Sequence, residues 1–224
     1  MGKIIIEAKD LVKTYQNGKG RLLVLDNINI QIRENSIISI IGESGAGKST
    51  LLNVLSSLDV FDKGELNIEG SNIKNFSEKQ LCSIRNSSIG FIFQFHHLLP
   101  DFNVRENILM PAWINKDYGK DKKVDELLKN FGLEKISHKY PNEISGGEKQ
   151  RAAILRSIIN DPKVLFADEP SGNLDEKNSM KLIDLFESIN RNLGTSIVLT
   201  THNPRIANMG SDKYELKSKT LFKR

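Results

Sequence analysis

The rhythm of apolar and polar positions changes repeatedly along this chain, and each change marks an element. Ile28, Ile30 and Ile32 alternate with Asn27, Asn29 and Gln31, the period of two of a strand with one covered face. A strand is therefore predicted over 23–32, with another before it over 3–8. The short apolar run 36–41 enters a glycine loop as a buried parallel strand would. Leu51, Leu52, Val54, Leu55 and Leu58 then fall at helical spacing and predict a helix over 49–58. Ser77-Glu78-Lys79-Gln80 has the spacing of a capping box and should open the next helix. After a further apolar strand at 89–93, the character changes. Helical patterns occupy 104–113, 122–131 and 145–160 with no convincing strand, until strands resume at 164–167 and 196–200 around a helix at 176–191.

Strands alternating with helices predict an α/β fold on a mostly parallel sheet. The helical stretch reads as a subdomain of about 95–160 inserted into a core of about 1–94 and 161–224, all within one domain. Hydrophobic residues make up 38% and charged residues 27%, an ordinary globular balance rather than a disordered one. The net charge of +4 comes from 32 cations against 28 anions, too even to predict a nucleic-acid partner. No uncharged apolar run reaches the ~18 residues needed to cross a bilayer. The opening Met1-Gly2-Lys3-Ile4-Ile5-Ile6-Glu7 meets a charge too early for a signal-peptide core, and Ile6 stands where a myristoylation signal wants Ser or Thr. Cys82 is alone, so neither a disulfide nor a cysteine metal cluster is expected, and a reducing cytosol is. Any membrane role must come through a partner.

Two stretches carry chemistry. Gly42-Glu43-Ser44-Gly45-Ala46-Gly47-Lys48-Ser49 fits GxxxxGK[ST] between a predicted strand and a predicted helix, the context that makes the pattern a phosphate loop. Glycines let the backbone wrap closely around phosphate and expose N–H groups, and the helix N-terminus, with Thr50 in its first turn, adds a field favourable to anions. Lys48 supplies a mobile cation to the outer phosphates, and the Ser49 hydroxyl is placed for Mg²⁺. Farther on, Val164-Leu165-Phe166-Ala167 is an apolar strand ending in Asp168 and Glu169. Carboxylates there should face a cation or water, because burying them unpaired is costly. Asp168 suits the Mg²⁺ shell, and Glu169 suits a base or orienter for an attacking water.

Between these lies Ser145-Gly146-Gly147-Glu148-Lys149-Gln150, preceded by Ile144. This resembles the LSGGQ signature of ABC ATPases, in which a serine and two glycines open a second anion-binding helix end. The resemblance runs from Tyr15 to His202 and implies a P-loop NTPase core with N-terminal antiparallel strands and an inserted helical subdomain. It implies ATP and Mg²⁺ as cofactors, and a homodimer, formed on ATP, in which Ser145, Gly146 and Gly147 of one copy meet the nucleotide on the other's phosphate loop. By resemblance Tyr15 stacks on adenine, Gln94 reaches Mg²⁺ and the attacking water, and His202 contacts the γ-phosphate. Ser171-Gly172-Asn173-Leu174-Asp175 is similar to the loop that crosses the dimer interface.

A finer similarity lies in Phe93-Gln94-Phe95-His96-His97-Leu98-Leu99-Pro100-Asp101-Phe102 and Glu106-Asn107-Ile108-Leu109-Met110-Pro111. It resembles the lipoprotein-releasing branch of the macrolide-exporter-like group, with macrolide and peptide exporters and cell-division ATPases as near relatives. The resemblance implies integral membrane permease subunits on separate chains and a peripheral place on the cytoplasmic side of a bacterial inner membrane. A soluble ABC ATPase acting on nucleic acid or ribosomes usually carries two cassettes or long insertions, and no nucleic acid is expected here. The bulky apolar residues Phe95, Leu98, Leu99 and Phe102 are expected to line a groove for a cytoplasmic helix of the membrane partner, the alternative being that they pack the subdomain's own core. Ile144 and Ser171 replace the commoner Leu and Thr with similar chemistry, while Asn203 stands where Asp is commoner and alters the local polarity. The stretch Leu216-Lys217-Ser218-Lys219-Thr220-Leu221 lacks the usual glycine turn, which puts a final hairpin in doubt.

Overall fold

The computed structural model describes residues 2–18, 20–172 and 176–224, and for 176–178 the backbone only. Strands β1 (Ile4–Asn17) and β2 (Gly20–Arg33) run antiparallel. Both exceed the apolar alternation because bulges carry the ladder past polar residues. The register slips between Ala8 and Leu11, where Asp10 has a φ of 49°, and the inward face resumes at Leu11. Strand β3 (Ile37–Ile41) leads through the glycine loop into helix α1 (Lys48–Leu55). Two strands that the pattern did not predict follow, β4 (Lys63–Ile68) and the short β5 (Ser71–Asn72). Only Leu66 and Ile68 of β4 are buried, too little alternation to read as a strand. Gly64 there has a φ of 94°, and a Cβ would lie 2.5 Å from the carbonyl oxygens of Lys9 and Asp10. The backbones approach that closely only because the residue is glycine.

Helix α2 (Glu78–Ser87) begins at the expected capping box, with Ser77 N–H donating to Gln80 Oε1 at 2.9 Å. Strand β6 (Ile89–Ile92) is followed by helices α3 (Val104–Ile114), α4 (Asp121–Asn130) and α5 (Gly146–Ile158). Strand β7 (Val164–Asp168), helix α6 (Glu176–Leu193), strand β8 (Ser196–Thr200) and the short helix α7 (Pro204–Ala207) come next. Strands β9 (Asp212–Lys217) and β10 (Thr220–Lys223) close the order. The first sheet has the antiparallel order β2-β1-β4-β5, and the second has the order β10-β9-β3-β8-β7-β6, parallel except at β10.

Strand β7 shows why the parallel strands read as continuous apolar runs. Val164 and Phe166 point into a core shared with α1 and the antiparallel sheet, while Leu165 and Ala167 point into a second core with α3, α5 and α6. Both faces are covered, so the interior positions of the strand are apolar. The helical stretch is packed into the second of these cores: Ile154, Leu155 and Ile158 of α5 lie in one cluster with Leu165 and Leu199 of the sheet. The final hairpin forms despite having no glycine. Ser218 and Lys219 take the left-handed region at φ 50° and 69°, the pair of positive φ values that a two-residue turn with the strands' own twist requires. The Asp26 N–H donates to the Lys219 carbonyl at 2.9 Å, and this bond to β2 helps hold the turn.

Candidate active site

Strand β3 delivers Gly42 and Glu43 to a loop that bends at Gly45 (φ 77°) and Gly47 (φ 104°) before α1 begins. A Cβ on Gly42 would sit 2.6 Å from the Leu216 carbonyl oxygen, and one on Gly47 2.9 Å from Cγ1 of Val24. Both glycines are thus fixed by packing against β9 and β2. Gly47 caps α1 without any side-chain bond, which leaves the first-turn N–H groups free of a capping side chain. Lys48 is buried at the loop's centre, its Nζ donating to the carbonyls of Gly42 at 2.9 Å and Glu43 at 3.0 Å.

The carboxylates arrive from β7. Thr200, fully buried at the end of β8, donates its hydroxyl to Asp168 Oδ1 at 2.7 Å and accepts the Glu169 N–H at 3.1 Å. One threonine therefore fixes the strand end and the turn beyond it, where Glu169 adopts a φ of 44°. That turn carries the Glu169 carboxylate back across the loop. Oε1 lies 3.5 Å from Lys48 Nζ, and Oε2 lies 2.8 Å from His202 Nδ1 and accepts the His202 backbone N–H at 3.3 Å. The carboxylate is largely buried, whereas the His202 ring is exposed.

These groups line one cleft of about 500 Å³. Ser44, Gly45, Gly47, Lys48, Ser49 and Thr50 form its floor, with Val24, Gln94, Glu169 and His202 around it. Glu43 and Ala46, with Ser44 and Gly45, also border a neighbouring cleft of about 470 Å³ against the β9–β10 hairpin. Lys48, Ser49, Gln94, Glu169 and His202 are thus brought together. Asp168 stands next to Glu169 without lining the cleft.

Tyr15 and the Ser145 segment stand apart. The Tyr15 hydroxyl donates to Asp59 Oδ2 at 2.7 Å, Lys13 Nζ lies 4.6 Å from its ring centre, and Thr50 is within reach of the same hydroxyl. Burial pushes the Tyr15 phenol up, and the bond to Asp59 adds to the effect. Ser145 caps α5 through a capping box, accepting from Glu148 N–H at 3.4 Å while Glu148 Oε2 accepts from Ser145 N–H at 2.7 Å. Hydrogen bonds from the Ser145 side chain and backbone hold the Glu148 carboxyl below its ordinary value. Ser145, Gly146 and Gly147 open a well-formed helix N-terminus, but none of them lines the phosphate-loop cleft. In the segment from Ser171, Gly172 donates its N–H to the Glu169 carbonyl at 3.0 Å, while Asn173, Leu174 and Asp175 lie outside the described residues.

Sequence reasoning did not single out Thr200, Lys13 or Asp59. Thr200 ends the predicted strand 196–200, two residues before His202, yet nothing in a sequence says that its hydroxyl spans two strands. As for a cation, Ser49, Gln94 and Asp168 offer oxygen donors, which suit Mg²⁺ rather than a soft metal. Among the described residues no cluster of three or more His, Cys, Asp or Glu could hold a metal alone. A cation here would complete its shell with phosphate oxygens and water, as Mg²⁺ characteristically does.

Comparison with known proteins follows the same line. A family model described as "ABC transporter" matches residues 25–172. The lipoprotein-releasing system ATP-binding protein LolD of Wigglesworthia glossinidia brevipalpis is 45% identical over 224 residues, covering 99% of this chain and 97% of that protein. The protein of the same name from Cytophaga hutchinsonii is 44% identical over 220 residues, covering 97% and 99%. Among solved structures, a dimeric post-hydrolysis state of an ATP-binding cassette bound to ADP and Pi superposes with a TM-score of 0.90 at 33% identity, covering 98% of this chain and 97% of that one.

Proposed function

The chain belongs to the ABC transporter family as an ATP-hydrolysing cassette, and from that premise we propose that the cleft around Lys48 holds the ATP phosphates beside Glu169 as the general base. The observation that carries the reading is the position of the Glu169 carboxylate, 3.5 Å from Lys48 and 2.8 Å from His202, with Gln94 on the same wall. The loop N–H groups and Lys48 bind the β- and γ-phosphates, and Tyr15 receives the adenine. Ser49, Gln94 and Asp168 hold Mg²⁺, which when bound neutralises charge on the phosphate oxygens. Glu169 accepts a proton from water as the water oxygen bonds to the γ-phosphorus. The bond from that phosphorus to the bridging oxygen breaks, and the electron pair leaves with ADP. His202, bonded to Glu169 through both ring and backbone, holds the base and reaches the γ-phosphate.

The Ser145 helix end is open to an anion that the same chain's loop does not bring to it, which supports a two-fold dimer in which each ATP lies between Lys48 of one copy and Ser145 of the other. The helical stretch 95–160 is the unit that swings relative to the core, with Gln94 at its root. The transported cargo is lipoprotein leaving a bacterial inner membrane, a reading supported by the names of the relatives. No helix among the described residues is long and apolar enough to cross a membrane, so integral permease subunits on other chains supply the membrane path, and this chain docks on their cytoplasmic side.

Glu169→Gln tests the base. The amide keeps shape and hydrogen bonding but takes no proton, and general bases contribute ~10²–10⁴-fold. Hydrolysis should fall by that factor while ATP affinity in calorimetry stays, and ATP should trap a dimer in light scattering. Wild-type turnover in this variant would remove Glu169 from the role.

A further inference from the structure

The loop after Gln94 is tied to the helix that begins at Ser145, and the tie is a half-buried charge. Arg156, on the third turn of α5, donates from Nη1 to the His97 carbonyl at 2.6 Å and from Nη2 to the His96 carbonyl at 2.8 Å. Among the described residues it has no carboxylate partner, and burial alone lowers the affinity of its guanidinium for the proton. A partly desolvated cation that satisfies only loop carbonyls is costly as packing. The loop it grips is also strained: His97, a non-glycine residue, sits at φ 45°. At the other end of α5 the half-buried His96 ring lies near the backbone of Gly146, and its Nδ1 has no hydrogen-bond partner among the described residues. The segment two and three residues past Gln94 is therefore hydrogen-bonded to the third turn of α5, while the His96 ring lies close to its first turn. Gln94 itself faces the cleft, with its side-chain amide near Gly172, beyond the Glu169 turn.

We propose that Arg156 is a positioning residue for hydrolysis: by bridging the His96 and His97 carbonyls it makes Gln94 and the Ser145 end of α5 move as one body. Contact of Ser145, Gly146 and Gly147 with a nucleotide on a second copy is then felt directly at Gln94. This rests on the assignment of the cleft to ATP and of Gln94 to Mg²⁺ and water. The fork geometry of arginine is what the two carbonyls require, and a lysine ammonium, a point donor, cannot hold both in register.

The test is a double-mutant cycle between Arg156→Lys and Gln94→Ala, read as kcat, KM for ATP and the Mg²⁺ concentration for half-maximal rate. Arg156→Lys should leave ATP affinity and KM in place, lower kcat by about 10–100-fold, and raise the Mg²⁺ requirement as Gln94→Ala does. In the Gln94→Ala background the same substitution should cost almost nothing further. Full additivity, with equal loss in both backgrounds, would make Arg156 a general packing residue and overturn the proposal, as would an unchanged Mg²⁺ requirement. If Arg156→Lys does not fold, Arg156→Gln, a shorter neutral side chain with a single donor nitrogen that cannot bridge both carbonyls, takes its place in the cycle; failure of both to fold also overturns it. Lys48→Ala is the control on the underlying assignment: retained ATP affinity there would count against the cleft itself, whatever the cycle gives.

Discussion

Asp59 illustrates how much a single side chain organises at the residue scale. One of its oxygens accepts from Lys13 at 2.7 Å and from the Val60 N–H at 2.7 Å, and the other accepts from Tyr15. Lys13 is buried, so Asp59 is both its counter-charge and the post that holds the Tyr15 ring. Burial tends to raise the Asp59 carboxyl, but the bonds from Lys13, Tyr15 and Val60 outweigh it and leave the group below its ordinary value. A carboxylate depressed on folding stabilises the protein fully above its unfolded pKa of about 3.9 and loses that contribution as pH falls through the folded value. Asp59→Asn should therefore lower stability by about 1–3 kcal/mol at neutral pH. The gap between wild type and variant should close in acid, below about pH 4. Urea unfolding of both proteins across pH checks this, and the same variant should bind ATP more weakly because Tyr15 loses its post. A gap independent of pH would mean that the carboxylate charge is not what holds the pair.

At the scale of elements, the loop between β6 and α3 divides where the sequence reading treated 95–102 as one apolar lining. Leu98 packs against the helical core, and Asn107, fully buried on α3, accepts from the Leu99 N–H at 2.7 Å and donates to the carbonyls of Leu99 at 3.1 Å and Phe102 at 2.8 Å. Phe95 is 65% exposed and Leu99 41% exposed, so these two project from a loop whose backbone is pinned. Of the residues proposed to meet the membrane partner, Phe95 and Leu99 are therefore the exposed ones, and Leu98 belongs to the fold. Leu98→Ser should cost about 2–4 kcal/mol in chemical denaturation, as large-to-small changes at covered sites do. Phe95→Ser with Leu99→Ser should leave stability and basal ATPase within error and abolish co-purification of the permease subunits from detergent-solubilised membranes. Retention of the permease by that double variant would place the docking surface elsewhere.

At the scale of the whole molecule, the two anion-binding helix ends matter most. The loop end of α1 lines the cleft with Glu169, while the Ser145 end of α5 lies outside it in the same chain. If each ATP needs both ends, a lone subunit holds only half of each site. The ATPase rate per subunit should then rise with protein concentration, giving total activity steeper than linear and approaching second order at high dilution. A rate per subunit that stays constant down to concentrations where light scattering finds only monomer would contradict the shared site.

Local pattern by itself determined most of the parallel sheet, the helices and the place of the glycine loop between β3 and α1. Periodicity is a local property, and 36–41, 164–167 and 196–200 are mostly apolar, with the buried Ser39, Ser196 and Thr200 among the exceptions, because both sheet faces are covered. The phosphate loop was legible for a related reason: its glycines, Lys48 and Ser49 are contiguous, so their joint geometry is fixed by a few adjacent dihedrals. The signature and the Asp168-Glu169 pair were legible as motifs, and Gln94, Tyr15 and His202 only through resemblance. What tertiary structure decided are matters of contact between distant segments. Strand β4 exists because Gly64 lets its backbone meet β1, and the final hairpin is held partly by a bond from Asp26 to a turn that carries no glycine. Thr200 joins Asp168 to Glu169, Asp59 holds Tyr15, and Arg156 grips the loop beyond Gln94. Each is a polar group whose partner lies tens of residues away, and hydrogen bonds across such separations leave no periodic trace in a sequence.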